Sequence, residues 1–217
     1  MVLGARSRLE PYMTDIAFQN DTNAAASAAA IVARLGGRSI VLVGMMGVGK
    51  SSIGRRLAAL LGIPFVDADA EIEKAAGMSV ADIFSRHGEA DFRSGEARVI
   101  ARLLEGGPQV LATGGGAVMN ADTRAAIKTK GISIWLRAEF EVLIRRISKR
   151  KNERPMLQTA DPAATLRQLL EVRDPIYAQA DIAVDSREVP HEAIVSQIVN
   201  ALTAHLNAPA TPPQETS

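Results

Sequence analysis

With 217 residues the chain is long enough for one α/β domain to bury a core and too short for a second full one. Its 47% apolar and 23% charged residues are ordinary for globular proteins and argue against disorder or a fibrous architecture. The 25 Lys+Arg against 24 Asp+Glu leave no broad field for nucleic acid or an anionic membrane, and the lack of cysteine excludes disulfides, a thiolate nucleophile and Cys-based zinc sites, as suits a reducing cytosol.

Residues 1–37 read as an N-terminal extension. The apolar stretch at 24–35 is rich in alanine and, at about a dozen residues, too short to span a bilayer. Glu10, Asp15 and Asp21 interrupt a signal-peptide pattern ahead of it. It is expected to form a helix docked on the domain, and since every motif below lies beyond it, removing 1–37 should spare catalysis. From 38 to 206, short β-branched runs alternate with longer helical patterns, the signature of a parallel sheet with helices on both faces. Strands are expected at 39–43, 64–67, 109–112, 132–136 and 181–184. After Gly49, the helical pattern at 50–61 puts Ile53, Leu57, Leu60 and Leu61 on one face. Ser79 reads as an N-cap with Asp82 at the capping-box position. The tail, 207–217, carries Pro209, Pro212 and Pro213 among polar residues and cannot bury enough apolar surface to order itself. Trp135 falls in a strand pattern and reads as core, and His87, His191 and His205 are too scattered for a metal site.

The most specific local signal is Gly44-Met45-Met46-Gly47-Val48-Gly49-Lys50-Ser51, which fits G-x-x-x-x-G-K-[ST] between an apolar strand and a helix. Its glycines let successive N–H groups point at phosphate oxygens, and the helix N-terminus adds its positive end. Lys50 is placed to bridge the β- and γ-phosphates of ATP, and the Ser51 hydroxyl to ligate Mg²⁺. A chain this short, without an Asn-Lys-x-Asp guanine-reading motif, favours a small-molecule kinase over a motor or GTPase. The second strand ends Asp67-Ala68-Asp69, and if it runs on through both, two carboxylates point towards the phosphate loop. One would support Mg²⁺ and the other the acceptor hydroxyl, unless Asp69 merely caps the following helix; spacing leaves both open.

Phe92-Arg93-Ser94-Gly95-Glu96, Thr113-Gly114-Gly115-Gly116-Ala117-Val118, Arg154-Pro155-Met156-Leu157 and Arg173-Asp174-Pro175 with Tyr177 follow in turn. Together with the phosphate loop and the Asp pair they resemble the shikimate kinases in order and spacing over residues 39–206. The resemblance implies a P-loop three-layer α/β sandwich with a five-stranded parallel sheet and a mobile lid. It implies Mg²⁺-dependent transfer of the ATP γ-phosphoryl group to the 3-hydroxyl of shikimate, in chorismate and aromatic amino-acid biosynthesis.

On that resemblance Gly47, Val48, Gly49, Lys50, Ser51 and Ser52 line ATP, Ser51 and Asp67 serve the metal, and Asp69, Arg93, Gly115 and Arg173 bind shikimate. Lys50, Asp69 and Arg154 are the expected catalytic groups, Arg154 on the lid. The loop 185–190 falls where the family stacks adenine, but it departs too far for residues to be assigned. From position alone, Arg93 also fits a surface charge paired with Glu96 at i,i+3, and Arg173 a surface helix charge. A cytoplasmic monomer with no nucleic-acid or membrane partner is expected. The alternatives are a related kinase for gluconate or a nucleoside monophosphate, or a nucleotide-binding homologue without chemistry.

Overall fold

The computed structural model of the protein describes residues 26–148 and 161–209. Five strands, β1 (Ser39–Val43), β2 (Phe65–Asp67), β3 (Val110–Ala112), β4 (Gly131–Arg137) and β5 (Ile182–Asp185), form one parallel sheet in the order β2-β3-β1-β4-β5. β1 is central, and all five of its residues are buried because both faces are covered by helices, as its unbroken apolar run requires. Its neighbours β3 and β4 pair Leu42 with Ala112 and with Ile134.

The helices are α1 (26–35), α2 (Lys50–Leu61), α3 (Ala68–Ala76), α4 (Val80–Leu104), α5 (Ala121–Lys130), α6 (Phe140–Ser148), α7 (Pro162–Tyr177) and α8 (His191–Asn207). A 3₁₀ turn, Ala117–Met119, precedes α5. Their starts follow local chemistry. Ser79 accepts from the Asp82 N–H, capping α4 as expected, and its hydroxyl donates to the Asp82 carboxylate. Asn120 and Asp161 cap α5 and α7 in the same manner, each accepting two backbone N–H bonds.

The connection after β1 runs towards the β2 edge and the one after β3 towards β4. Between these neighbouring strands the sheet therefore has a topological switch point, where ligands gather outside the strands' carboxyl ends. The phosphate loop follows β1 and the glycine run follows β3, so both open at that crevice. Thr113 ties them together, its N–H and its hydroxyl both donating to the Leu42 carbonyl at 3.2 and 3.0 Å.

Leu60, which the helical period puts with the apolar face of α2, is 44% exposed, and three further details differ from what the sequence suggests. The strand does not continue through Asp69: it ends at Asp67, whose side chain caps α3 by accepting from the Asp69 N–H at 3.1 Å. The capping role weighed for Asp69 therefore belongs to Asp67, and Asp69 stands in the first helical turn. Second, α4 is broken at Gly88, whose φ of 81° and ψ of 173° lie outside the helical region and suit glycine alone. Third, α1 is part of the core: Ala28, Ile31 and Leu35 are buried in the same apolar cluster as β1. A boundary at 37 cuts that cluster.

Deleting residues 1–37 is accordingly expected to destabilise the fold. Losing the buried Ile31 and Leu35 side chains, at about 1.5–3 kcal/mol each, should remove about 3–6 kcal/mol. Urea titration of chains starting at residues 26 and 38 checks this. Equal stability of the two would show that α1 contributes nothing to the core.

Candidate active site

The site is built on backbone first. Gly44, Gly47 and Gly49 all have positive φ (131°, 82° and 102°), which curls the segment between β1 and α2 into a tight loop. Lys50 begins α2, and its ammonium donates to the Gly44 carbonyl at 2.7 Å and the Met45 carbonyl at 3.1 Å. Next to it, the Ser51 hydroxyl donates to Asp67 Oδ2 at 2.7 Å, bringing together an alcohol from the start of α2 and a carboxylate from the end of β2.

On the opposite wall, each of three successive glycines lies against a charged side chain. A Cβ at Gly114 would stand 2.7 Å from Glu96 Oε1 and 2.9 Å from Asp69 Oδ1. One at Gly115 would be 3.6 Å from Arg173 Nη1, and one at Gly116 2.5 Å from Arg93 Nη2. Missing side chains thus let Asp69, Glu96, Arg93 and Arg173, from three helices, converge on one strip of backbone.

Arg93 and Arg173, either of which the sequence alone allowed to be a surface charge, both turn inward. Arg93 Nη1 donates to Glu96 Oε2 at 2.6 Å, with the Glu96 side chain 1% exposed. The Phe92 and Phe84 rings lie 5.1 and 5.8 Å from the guanidinium carbon, within cation–π range. Arg173 is 5% exposed and donates to the Gly115 carbonyl at 3.2 Å, which also accepts from the Tyr177 hydroxyl. Burial pushes the Tyr177 phenol up to about 12, so it remains a donor at any physiological pH.

Burial also raises the Glu96 pKa against the lowering pull of Arg93. Its Oε1 has no hydrogen-bond partner and faces Gly114. Asp69 is open on one side to the cleft, yet the surrounding protein desolvates its carboxyl and raises its pKa, helped by Asp67 and opposed by Lys50. A carboxylate raised in this way is a better proton acceptor than an ordinary aspartate.

Glu96 and Tyr177 fall within the motifs, but the sequence assigned neither a role in the site. A third contributor gave no sequence signal. Arg146 of α6 donates to the Val48 carbonyl at 3.2 Å, the Ser186 hydroxyl at 3.0 Å and the Arg187 carbonyl at 3.0 Å. Ser186 in turn donates to Val48 at 2.8 Å, fastening the loop after β5 to the phosphate loop. Ser52 stands in the first turn of α2, where its carbonyl accepts from Arg56 Nη1 at 2.9 Å. Arg154 lies outside the described residues.

The shikimate kinase family model matches residues 46–203. A shikimate kinase of Bradyrhizobium diazoefficiens is 61% identical over 81% of this chain and 84% of its own length. One of Nitrobacter winogradskyi is 62% identical over 82% of each. Among solved structures, the shikimate kinase from Acinetobacter baumannii in complex with shikimate superposes with a TM-score of 0.74 at 38% identity, covering 77% of this chain and 93% of that one.

Because burial holds the folded-state pKa of Asp69 above its unfolded value, its charge costs stability above the folded pKa, and the cost vanishes below the unfolded one. Asp69→Asn should therefore unfold at a higher temperature than the parent at pH 8, with the gap closing as pH falls towards about 4. Thermal denaturation across that range checks it. A gap independent of pH would show that the Asp69 charge is not what strains the fold.

Proposed function

The chain belongs to the shikimate kinase family, and from that premise we propose how its residues divide the work of moving the ATP γ-phosphoryl group to a hydroxyl of shikimate. As a member of that family the protein is an ATP-dependent kinase. The observation that carries the division of labour is the strip Gly114–Gly116, with Asp69, Arg173 and Arg93 each against one glycine.

Arg93 and Arg173 hold the shikimate carboxylate. A guanidinium presents two parallel donors, and two of them around one carboxylate fix orientation as well as affinity. Glu96 keeps Arg93 flat against Gly116. Asp69 then accepts the proton of the attacking 3-hydroxyl as the O–P bond forms and the bond from the γ-phosphorus to the bridging oxygen breaks, leaving ADP. Its raised pKa matches that duty. Gly47, Val48, Gly49 and Ser52 complete the cradle for ATP, while Lys50 moves from its loop carbonyls to the β- and γ-phosphates.

Ser51 and Asp67 fit a Mg²⁺ ion, since they set two hard oxygen donors side by side. Among the described residues no three acidic or histidine side chains cluster, and Mg²⁺ usually keeps several waters and takes substrate phosphates beside one or two carboxylates. Held there, the ion would neutralise phosphate charge as it develops. Arg154 supports charge on the transferring group when the lid closes, excluding water that would compete as acceptor. The enzyme works as a monomer in the cytoplasm. Among the described residues no helix is long and apolar enough to cross a membrane.

A coupled ADP-release assay across shikimate, gluconate and nucleoside monophosphates tests the substrate, and turnover with either rival but not with shikimate overturns it. Lys50→Ala should abolish turnover in a folded protein. The roles of the arginines separate kinetically. Arg93→Ala and Arg173→Ala remove contacts present in ground and transition states alike and should raise the acceptor KM, by about ten- to a hundredfold for a charge-assisted partner worth about 1.5–3 kcal/mol. Arg154→Ala should chiefly lower kcat. Gly116→Ala should mimic Arg93→Ala, because its methyl group would occupy the place of the guanidinium. Interchanged effects of Arg93→Ala and Arg154→Ala would overturn the orientation of shikimate.

A further inference from the structure

Arg93 has a second carboxylate partner that differs in kind from Glu96. Its Nη1 points inward to buried Glu96 at 2.6 Å, while Nε and Nη2 both point at a single oxygen of Glu89, at 3.4 and 3.3 Å. Charge-assisted N–H···O bonds ordinarily measure about 2.7–2.9 Å, so this second contact is loose. The Glu89 side chain is 61% exposed.

The Nε–Nη2 edge is one of the two pairs of parallel donors by which a guanidinium grips a carboxylate with both oxygens. Gly116 lies against the guanidinium at Nη1, Cζ and Nη2, and Glu96 already engages Nη1, so the donor pair that does not include Nη1 is Nε–Nη2. The edge left for an incoming carboxylate is therefore the one Glu89 holds. Glu89 is also well placed to let go. It directly follows Gly88, where α4 is broken, so it opens the second helical segment, and a carboxylate released there stays hydrated near a helix N-terminus that favours negative charge.

We propose that Glu89 is a resident carboxylate that occupies the acceptor's anion site on Arg93 in the empty enzyme and is displaced when a carboxylate-bearing acceptor binds, so that it sets acceptor specificity. This rests on the reading of Arg93 as the carboxylate clamp. An acceptor with a carboxylate exchanges one loose oxygen for a two-oxygen grip. An acceptor without one leaves the Glu89–Arg93 pair in place and gains nothing from Arg93. Glu89 thus lowers the net affinity for shikimate while excluding neutral polyols from that edge.

The opposite role, bracing Arg93 for shikimate, predicts the opposite sign. Calorimetric titration of shikimate into nucleotide-free parent, Glu89→Gln, Arg93→Ala and the double variant, with steady-state kinetics on each, separates the two. Removing the competitor should tighten shikimate about two- to fivefold, the scale of an exposed ion pair, with the change falling on KM rather than on kcat. The same substitution in the Arg93→Ala background should do nothing. Weaker or unchanged shikimate binding in Glu89→Gln, with Arg93→Ala impaired, overturns the displacement and leaves the clamp standing. Parent-like binding by Arg93→Ala overturns the clamp and the displacement with it.

Discussion

Three consecutive residues without side chains, at the carboxyl end of a buried strand, are what the acceptor site depends on. Close packing leaves no spare room in a protein interior, and a single methyl at Gly114 or Gly116 would meet a charged group within 3 Å. Because the methyls are absent, a carboxylate from α3, a guanidinium and a carboxylate from α4 and a guanidinium from α7 can reach the same strip of backbone. The glycines serve here less as hinges than as space.

Charges packed so closely cannot all be hydrated, and the two carboxylates show the consequence. Glu96 is buried and its pKa is raised even with Arg93 bonded to it. Breaking a buried pair leaves an uncompensated charge, which typically costs about 3–5 kcal/mol, so Glu96 and Arg93 constrain each other strongly. Asp69, raised by the same desolvation, is held in a state that favours taking up a proton. The acceptor wall thus carries electrostatic strain, as expected where reactivity is needed.

The nucleotide side is organised on a different principle. Its loop is curled by positive φ at Gly44, Gly47 and Gly49 and braced from outside by side chains on a backbone carbonyl. Arg146 and Ser186 meet on the Val48 carbonyl and fasten the loop after β5 to the phosphate loop. In the proposed division of roles, directed dipoles, which cost little to assemble, would hold polyphosphate, and side-chain charge would supply the discrimination a small hydroxy acid demands.

The sequence determined by itself whatever depends on local period and chemistry. The five strands and their parallel arrangement follow from short apolar runs alternating with helical patterns, the phosphate loop from its spacing between a strand and a helix, and the α4 start from Ser79 and Asp82. Trp135 is buried, as its strand pattern implied. The tertiary structure decided what depends on contacts between distant residues. Arg93 turns inward where Gly116, distant in the chain, leaves room for its guanidinium, and Arg173 turns inward to the Gly115 carbonyl. Tyr177 finds the Gly115 carbonyl, and Arg146 the Val48 carbonyl, across separations no periodicity encodes. Residues 26–35 belong to the core because Ile31 and Leu35 meet an apolar surface that exists only after the sheet has formed. Even the cap on α3 needed the fold to be assigned: two aspartates two residues apart suit the position equally by composition, and the end of β2 at Asp67 makes it the cap and leaves Asp69 facing the cleft.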